Sequence, residues 1–464
     1  MSKRCWRRQV SELIGFERVH LVGVGGAGMS GLAKLLAQAG HVVSGSDIKP
    51  GKAITVLPRA GVDTWVGHRP ERAADSDLVV ASSAVPERDP EIAAARSAGV
   101  EVWERPALLS ELTLRMPAIG VAGTHGKTTT TAMLVAATRA LGRDPSFMVG
   151  GEMAALNTNA HLGERSLFLL EADEAYGTFS DLTLRGLVVT NIEADHLDYY
   201  GTVESLKEAF RDVASRVDGP VVACLDDPGA AAMTLEVPGV IGYGVRPDAD
   251  WRVVNPLHDG TGVRFRLEHG GDAFQVAVPR PGLHVALNAA GSLALLGECG
   301  VDVAAAAIGL ASFGGVRRRF EVKARAAGIT VIDDYAHHPT EVAATISAAR
   351  LGNPGRVVAV FQPHRYTRTS ELAKEFGSAL AGADLVVVSD VYAAGEPPIP
   401  GVTGRLVAMA VEDAGAEVIY VRSRSDIAGS VVELSRPGDV VLMMGAGDIS
   451  LVADEVGARL GAGR

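Results

Sequence analysis

The segment with the clearest chemistry is GTHGKTTT, residues 123–130, which lies between the apolar run Ala118–Val121 and an alanine-rich stretch with helical periodicity. Its glycines would let backbone N–H groups approach phosphate oxygens, Lys127 would reach the outer phosphates, and Thr128 offers a hydroxyl to Mg²⁺. The common phosphate loop has a further glycine where this chain has Val121. We predict a strand, a phosphate loop and a helix that bind ATP; a glycine-rich turn without a ligand is the alternative.

Acidic residues follow two apolar stretches of the same region. They are Glu171, Asp173 and Glu174 after SLFLL, and Glu193 and Asp195 after GLVVTNI, with His196 next in the chain. Carboxylates at the carboxyl ends of strands are placed to hold Mg²⁺ against phosphates, so this pattern predicts metal-assisted phosphoryl transfer. Imidazole is a poor Mg²⁺ ligand, and a zinc hydrolase would need more histidines than His196 alone.

The N-terminal region holds a second glycine pattern, VGVGGAGMSG. Its G-x-G-x-x-G glycines are Gly23, Gly25 and Gly28. A short strand precedes them, a helix over Met29–Ala39 follows, and the next strand ends at Asp47, as in dinucleotide-binding folds. This pattern predicts a nucleotide diphosphate at a helix N-terminus, either NAD or a UDP-sugar. Glycines that only allow tight strand–helix packing are the alternative.

The elements that position these residues alternate between strand and helix along the whole chain. With 464 residues, the chain is long enough for roughly three domains. We predict an α/β protein: a Rossmann-like domain over 1–112, a central P-loop domain with a mostly parallel sheet over 113–320, and a second Rossmann-like domain over 321–464. Residues 103–112 would cross from the first domain to the second.

Composition excludes several classes of protein. The net charge is −11 and long basic blocks are missing, so nucleic acid and anionic membranes are not expected partners. The basic opening MSKRCWRRQV precedes no long apolar stretch, which argues against a signal peptide or membrane anchor. Three cysteines lie far apart without a CxxC pair, so a reducing cytoplasm is expected rather than a disulfide framework.

Polar residues also follow the strands predicted near the start of the C-terminal region. They are Asp333, Asp334, Tyr335, His337 and His338 after the first strand, and His364, Arg365 and Arg368 after the second. Arg365 and Arg368 suit a carboxylate-sized target, whereas His337 and His338 before Pro339 could simply cap the next helix. Three adjacent arginines, residues 317–319, are either a solvated cluster or a source of charge for the transferring phosphate.

Taken in order, the motifs GVGGAGMSG, GTHGKTTT, EADE, TNIEADHLDYYG, RRRFE, DDYAHHPTE and FQPHRYTRT resemble those of the Mur ligases of peptidoglycan synthesis. The resemblance covers nearly the whole chain, and the first and last two motifs favour the branch that adds L-alanine. It implies that the lactyl carboxylate of UDP-N-acetylmuramic acid attacks the γ-phosphate of ATP. The acyl phosphate is then taken by the amine of L-alanine, with Mg²⁺ as cofactor.

The resemblance also implies roles for individual residues. Catalytic roles fall on Lys127, Glu174, His196, Arg319 and Asp334, and metal binding on Thr128, Glu174 and His196. ATP would contact Gly123, Thr124, His125, Gly126, Lys127, Thr128, Thr129, Asn288, Arg319 and Asp334. The substrates would contact Gly23, Gly25, Gly26, Ala27, Gly28, Met29, Ser30, Asp47, Ser82, Ser83, His125, Tyr335, His337, Arg365 and Arg368. Asn288 would read the adenine edge, with local helix capping as the alternative.

Two departures from the family pattern affect this assignment. Val285 replaces the asparagine that commonly follows His284, and Ala175 and Tyr176 replace a serine and an aspartate after Glu174. Three other functions are weighed: a sister ligase that adds another amino acid or a peptide, an NAD-dependent oxidoreductase, and a binding protein that uses ATP as a switch. The oligomeric state, monomer or homodimer, is left open.

Overall fold

The computed structural model describes residues 13–352 and 354–462. The basic opening segment and Cys5, on which two of the expectations above rest, lie outside the described residues. The chain divides into two compact units. The first comprises the chain up to Val254 with Arg266–Val276 and Leu287–Phe313, and the second comprises Asn255–Phe265, Ala277–Ala286 and Gly314 onwards.

The N-terminal part of the first unit is a five-stranded parallel sheet in the order β3-β2-β1-β4-β5. The strands are β1 (Arg18–Val22), β2 (Val42–Asp47), β3 (Val62–Val66), β4 (Leu78–Ala81) and β5 (Glu101–Glu104). The helices are α1 (Ala27–Gln38), α2 (Lys52–Val56), α3 (Pro70–Ala74), α4 (Pro90–Ser97) and α5 (Arg105–Arg115). Residues 103–112, over which a crossing to the next domain is predicted, form the end of β5 and most of α5, which leads from this sheet to the first strand of the next.

A ten-stranded sheet, most of which belongs to the first unit, has the order β15-β14-β13-β12-β11-β10-β6-β9-β7-β8. The strands are β6 (Ala118–Ala122), β7 (Pro145–Met153), β8 (Thr158–His161), β9 (Glu164–Glu171), β10 (Leu184–Val189), β11 (Val221–Cys224), β12 (Val240–Gly244), β13 (Trp251–His258), β14 (Val263–His269) and β15 (Asp272–Val278). The helices are α6 (Lys127–Ala140), α7 (Leu197–Tyr200), α8 (Val203–Ser215), α9 (Pro228–Glu236), α10 (Leu283–Glu298) and α11 (Val303–Ala311).

The strand that precedes the phosphate loop, β6, is buried along its whole length. Every residue of β6 is buried between the parallel strands β9 and β10, and such two-sided burial is typical of parallel sheets covered by helices. The two sheets of this unit are also joined, since Lys34 of α1 donates to Asn159 of β8, Nζ to Oδ1 2.7 Å.

The second unit carries a six-stranded sheet in the order β16-β17-β21-β18-β19-β20. The strands are β16 (Glu321–Ala326), β17 (Ile329–Asp334), β18 (Val357–Phe361), β19 (Leu385–Ser389), β20 (Val418–Val421) and β21 (Val440–Met444). The helices are α12 (Pro339–Arg350), α13 (Tyr366–Glu371), α14 (Ala373–Leu380), α15 (Gly404–Asp413), α16 (Arg424–Leu434) and α17 (Ile449–Ala462).

This second sheet confirms the α/β prediction. It also contains an antiparallel edge strand that a purely parallel Rossmann-like sheet does not have. Apolar clusters cover both of its faces, so β18 and β19 are buried along their whole length. This edge strand is β16, which pairs antiparallel with β17 at the edge of an otherwise parallel sheet.

Among all the described residues, no helix combines the length and the apolar character needed to cross a membrane.

Candidate functional site

The phosphate loop connects β6 to α6 through two glycines with left-handed backbone angles. The φ angles are 133° at Gly123 and 82° at Gly126, a region that residues with a Cβ rarely enter. A Cβ on Gly126 would also lie 2.8 Å from Oδ1 of Asn288. The loop therefore requires glycine at these positions for its own conformation as well as for the approach of a ligand.

Residues after β10 brace this loop. Asn191 accepts a hydrogen bond from the His125 amide, N to Oδ1 2.7 Å, and donates to the His125 carbonyl, Nδ2 to O 3.1 Å. The Thr190 hydroxyl donates to the same carbonyl at 2.5 Å, and the Glu193 amide donates to Oγ1 of Thr124 at 2.9 Å. The loop is thereby held in one conformation by the strand beside it.

Lys127 is the charged centre of the first unit. Its ammonium donates to both carboxylate oxygens of Glu174, 2.9 Å each, and to the carbonyl of Gly123 at 2.6 Å, and it lies 3.6 Å from Asp173. Burial disfavours its charged form, but attraction from Glu174 and Asp173 outweighs burial and holds the pKa of Lys127 above its usual range. Lys127 is therefore protonated at neutral pH.

The acids around Lys127 outnumber it. Burial raises the pKa values of Glu171 and Glu174 above their usual range, and the Lys127 charge only partly offsets this. At Glu171, the neighbouring Thr128 hydroxyl also works against this rise in pKa. Three carboxyl groups and a hydroxyl around one ammonium form an oxygen donor set with surplus negative charge, which is the chemistry that Mg²⁺ requires.

His196 lies on the other acidic segment. Its φ of 56° places it in the left-handed region, and its Nε2 lies 3.8 Å from Oδ2 of Asp195. The segment is tied to the Lys127 centre by the Tyr200 hydroxyl, which donates to the carbonyl of Glu174 at 2.7 Å. Tyr200 lies in the motif TNIEADHLDYYG, but no local pattern predicts this contact.

Asn288 is a buried residue inside α10 and not at its start. It is 8% exposed, and its Oδ1 faces Gly126 of the phosphate loop. The capping alternative is therefore wrong, because capping residues precede the first turn of a helix. Val285, at the departure from the family pattern, is buried in the first turn of the same helix.

The N-terminal glycine loop lies at the carboxyl edge of its sheet. The Gly25 amide donates to Oδ2 of Asp47 at 2.9 Å, and the Gly23 and Val24 amides donate to the carbonyl of Ser46, each at 2.9 Å. Ser82 follows β4 and lies close to Gly23. A Cβ added at Gly23 would lie 3.0 Å from the Cβ of Ser82. The structure thus brings Asp47 and Ser82 to the loop.

The other residues assigned to this loop differ in their exposure to solvent. Gly25, Gly26 and Ala27 are exposed, as is Ser83. Met29 is 2% exposed and belongs to the core, and Ser30 donates to the carbonyl of Ala27 at 3.1 Å.

The three adjacent arginines, residues 317–319, have different surroundings. Arg317 forms an ion pair with Glu321 at 2.7 Å and is 47% exposed. Arg318 donates to the carbonyls of Gly445 and Gly447 at 2.7 and 3.0 Å. Arg319 lies 3.5 Å from Glu341. The guanidinium carbons of Arg318 and Arg319 lie 4.9 and 5.0 Å from the Tyr335 ring centre.

Asp334 has a structural role in addition to any role toward ATP. Its two oxygens accept from the backbone amides of Phe320 and Ala336, at 2.7 and 2.8 Å, and burial raises its pKa despite the Arg319 charge. His338 caps α12 in a capping box with Glu341, which confirms the capping interpretation for this histidine. Glu341 also accepts from the His337 amide at 3.0 Å.

The residues after β18, His364, Arg365 and Arg368, lie close to His337 and form a basic region with it. The His337 and His364 rings lie 5.8 Å apart, and His364 stacks on Tyr392 at 5.7 Å. Burial and the nearby charges of His337, Arg368 and Arg365 lower the pKa of His364 to about 3, so its ring is neutral at physiological pH. Arg368 is only 9% exposed. We name Arg318, Arg319, His337, His364, Arg365 and Arg368 the basic rim.

Some residues of these sites were missed in the sequence. Glu341 follows His338 at the spacing of a capping box, so that motif could have revealed it. Thr190 and Asn191 lie in the motif TNIEADHLDYYG, but their contacts with His125, like the contact of Tyr392 with His364, depend on the pairing of distant segments.

Comparison with protein families gives three matches along the chain. The Mur ligase family catalytic domain matches residues 18–116, the Mur ligase middle domain matches 121–296, and the Mur ligase glutamate ligase domain matches 318–447. Together the three models cover most of the described residues.

Individual relatives match over almost their whole length. UDP-N-acetylmuramate–L-alanine ligase of Mycolicibacterium vanbaalenii is 44% identical over 461 residues, covering 95% of each chain. The enzyme of the same name from Kineococcus radiotolerans is 46% identical over 449 residues, again covering 95% of each. The crystal structure of UDP-N-acetylmuramate–alanine ligase MurC from Thermotoga maritima has a TM-score of 0.84 at 28% identity, covering 96% of this chain and all of that one. MurF from Thermotoga maritima in complex with ADP, at 19% identity and TM-score 0.62, shares the fold.

Proposed function

The chain belongs to the Mur ligase family, and we propose that it is the member that joins L-alanine to the lactyl carboxylate of UDP-N-acetylmuramic acid at the expense of ATP. The products are UDP-N-acetylmuramoyl-L-alanine, ADP and phosphate, in peptidoglycan precursor synthesis. The observation that carries the proposal is the largely buried, protonated Lys127 at the phosphate loop, 14% exposed and surrounded by carboxylates.

In the first unit, the loop amides and Lys127 bind the β- and γ-phosphates. Lys127 is charged before the reaction starts and lies in a water-poor site, so it stabilises the charge that spreads over the transferring phosphoryl oxygens. The braces from Thr190 and Asn191 keep the loop in place, so little reorganisation is needed when the lactyl carboxylate attacks the γ-phosphate.

Mg²⁺ belongs to this proposal because the donor set fits it. Glu174, Thr128 and the other acids around Lys127 would hold the ion, with His196 as the position that the family resemblance adds. Bound there, Mg²⁺ would neutralise charge on the phosphates.

In the second unit, the basic rim suits the carboxylate of L-alanine. Arg368 is the best placed of its residues because it is largely buried, and ion pairs withdrawn from water are worth more than exposed ones. Tyr335, His337 and Arg365 complete the expected alanine contacts. Arg319 and Asp334 are assigned to ATP, and in Asp334 that role adds to its hydrogen bonds with the backbone.

The partners in this proposal are the three small-molecule substrates, UDP-N-acetylmuramate, L-alanine and ATP. They place the reaction in the cytoplasm, as cysteine usage also suggests. Nucleic acid and membrane surfaces have no part in it.

The test is release of phosphate from ATP and Mg²⁺ with UDP-N-acetylmuramate, with each standard amino acid added in turn. We expect release that requires both the sugar nucleotide and L-alanine. Release with another amino acid or only with a peptide would move the protein to a sister ligase of the same fold. A nicotinamide-dependent absorbance change without phosphate release would favour the oxidoreductase, which leaves Lys127 and its acids unexplained.

A further inference from the structure

Tyr200 connects the two acidic segments of the first unit, and neither the sequence patterns nor the family resemblance assigns it a role. It is the last residue of the one-turn helix α7, which begins directly after His196. Its hydroxyl donates to the carbonyl of Glu174 at 2.7 Å. Because Glu174 follows β9 and Tyr200 follows β10, this hydrogen bond joins two segments that leave different strands of the sheet.

On one side of this contact, the chain changes direction directly after Glu174. Glu174 is the N-cap of a 3₁₀ turn over Ala175–Asp181, which we name the Glu174 turn. Tyr176 and Gly177 in this turn have left-handed φ angles of 54° and 67°, and this region is unfavourable for a tyrosine. The Glu174 carbonyl accepts from the Gly177 amide at 2.9 Å and also from Tyr200. A contact from outside the turn therefore helps to hold the Glu174 backbone in place.

On the other side, α7 links His196 to Tyr200. The carbonyl of His196 accepts from the amides of Tyr199 and Tyr200, at 3.0 and 3.1 Å. A single helical turn thus separates His196 from the hydroxyl that contacts Glu174. Movement of the His196 segment away from Glu174 would break the Tyr200 hydrogen bond.

The two residues that this bridge joins are those to which the proposed function assigns metal binding. The Glu174 side chain is fixed at its far end, since both carboxylate oxygens accept from Lys127 at 2.9 Å. The outer contacts of a metal ligand matter for binding, because their loss typically lowers metal affinity by about 10- to 100-fold.

We propose that Tyr200 is a positioning residue that holds Glu174 and His196 at a fixed separation for a Mg²⁺–nucleotide complex. This inference deepens the proposed function and rests on it for the assignment of Glu174 and His196 to the metal. Tyr200 itself acts through Glu174 and touches neither metal nor nucleotide.

Tyr199 provides a matched control for the Tyr200 hydroxyl. It precedes Tyr200 in α7, is 53% exposed, and its ring packs edge to face with the ring of Tyr176 at 6.3 Å. Phenylalanine at either position keeps the ring and removes only the hydroxyl. Comparison of Y200F with Y199F therefore isolates the hydrogen bond to Glu174.

Calorimetric titration of the full chain with ADP, once with excess Mg²⁺ and once with EDTA, tests the assignment. With Mg²⁺, Y200F should bind ADP about five- to tenfold more weakly than the wild type, which corresponds to the loss of one hydrogen bond. With EDTA the difference should be less than about twofold, because the metal ligands are then not used. Y199F should bind ADP like the wild type in both solutions.

Three results would overturn the assignment. The first is wild-type ADP affinity of Y200F with Mg²⁺. The second is an equal loss with Mg²⁺ and with EDTA, which would mean that Tyr200 only supports the fold. The third is a loss in Y199F as large as that in Y200F.

Phosphate release measured in parallel separates this inference from the proposed function. In Y200F, kcat should fall by about fivefold or more, whereas the KM for L-alanine should stay within about twofold of the wild type. A wild-type chain without ligase activity, combined with Mg²⁺-dependent ADP binding that is lost in Y200F, would retain this inference and reject the proposed function.

Discussion

The Lys127 centre and the basic rim are opposite solutions to binding charged substrates. Around Lys127, the carboxyl groups of Glu171, Asp173 and the buried Glu174 outnumber the one ammonium, so the centre is suited to a metal ion bound with phosphates. The rim gathers arginines around the neutral ring of His364, so it is suited to a carboxylate. The comparison teaches that the sign of the surplus charge, more than the number of charged groups, decides what each region can bind.

The largest expected effect is that of Lys127→Met. Loss of the only ammonium among these acids should lower phosphate release by about 10³-fold or more, because charge stabilisation of the transferring group is lost. It should also lower stability by about 3 kcal/mol, since buried carboxylates lose their partner. Steady-state kinetics and thermal melts measure both. Lys207→Met, on helix α8, is the matched control and should leave activity unchanged; an active Lys127→Met enzyme would refute the role of the centre.

Arg368 tests the other side of the comparison. Arg368→Ala should raise the KM for L-alanine about 10- to 100-fold, because a charge-assisted hydrogen bond to a carboxylate is worth about 1.5–3 kcal/mol. The KM for the sugar nucleotide should stay within about twofold, and Arg368→Lys should lose less than Arg368→Ala. If the KM values for both substrates rose together, the rim would not be specific for alanine.

Asp333 is an acid beside the basic rim. Its pKa depends on two opposing influences, burial and the charge of Arg318. Burial raises the pKa of Asp333 to about 6, although Arg318 lies 3.8 Å away. A carboxyl group with a raised folded-state pKa stabilises the fold below its unfolded-state pKa of about 4, and this contribution is lost as the pH rises to about 6.

Asp333→Asn should therefore gain about 3 kcal/mol relative to the wild type between pH 4 and pH 7. Denaturant unfolding at the two pH values measures this difference. Asp413→Asn, at an exposed carboxylate of α15, should show no such change. A constant difference between Asp333→Asn and wild type would mean that Arg318 keeps Asp333 ionised.

The smallest effect is expected at Arg317. Its ion pair with Glu321 is solvent exposed, so Arg317→Ala should change stability by about 0.5 kcal/mol or less and activity by less than about twofold. Arg318→Ala should cost more, since Arg318 holds the carbonyls of Gly445 and Gly447. If Arg317→Ala and Arg318→Ala had equal effects in thermal melts and in kinetics, the two neighbouring arginines would not differ in role.

Local patterns allowed a large part of the fold to be predicted. The β6 strand, the phosphate loop and α6 follow from an apolar run, two glycines and a helical repeat, all within about 20 residues. The strand β5 could not be predicted from a local pattern, because its four residues have a weak pattern and are half exposed, so only its pairing with β4 defines it as a strand.

The sequence by itself determined the α/β class, the ATP loop and the family motifs, because each depends on residues close together in the chain. The tertiary structure decided which side chains meet. Asn288 reaches the phosphate loop, Tyr200 reaches Glu174, and Arg105 reaches Gly28 only because parallel strands bring distant loops to one sheet edge. Neighbouring carboxylates then set the charge of Lys127 and burial raises the pKa of Asp333, and both depend on the packed fold, which no local pattern contains.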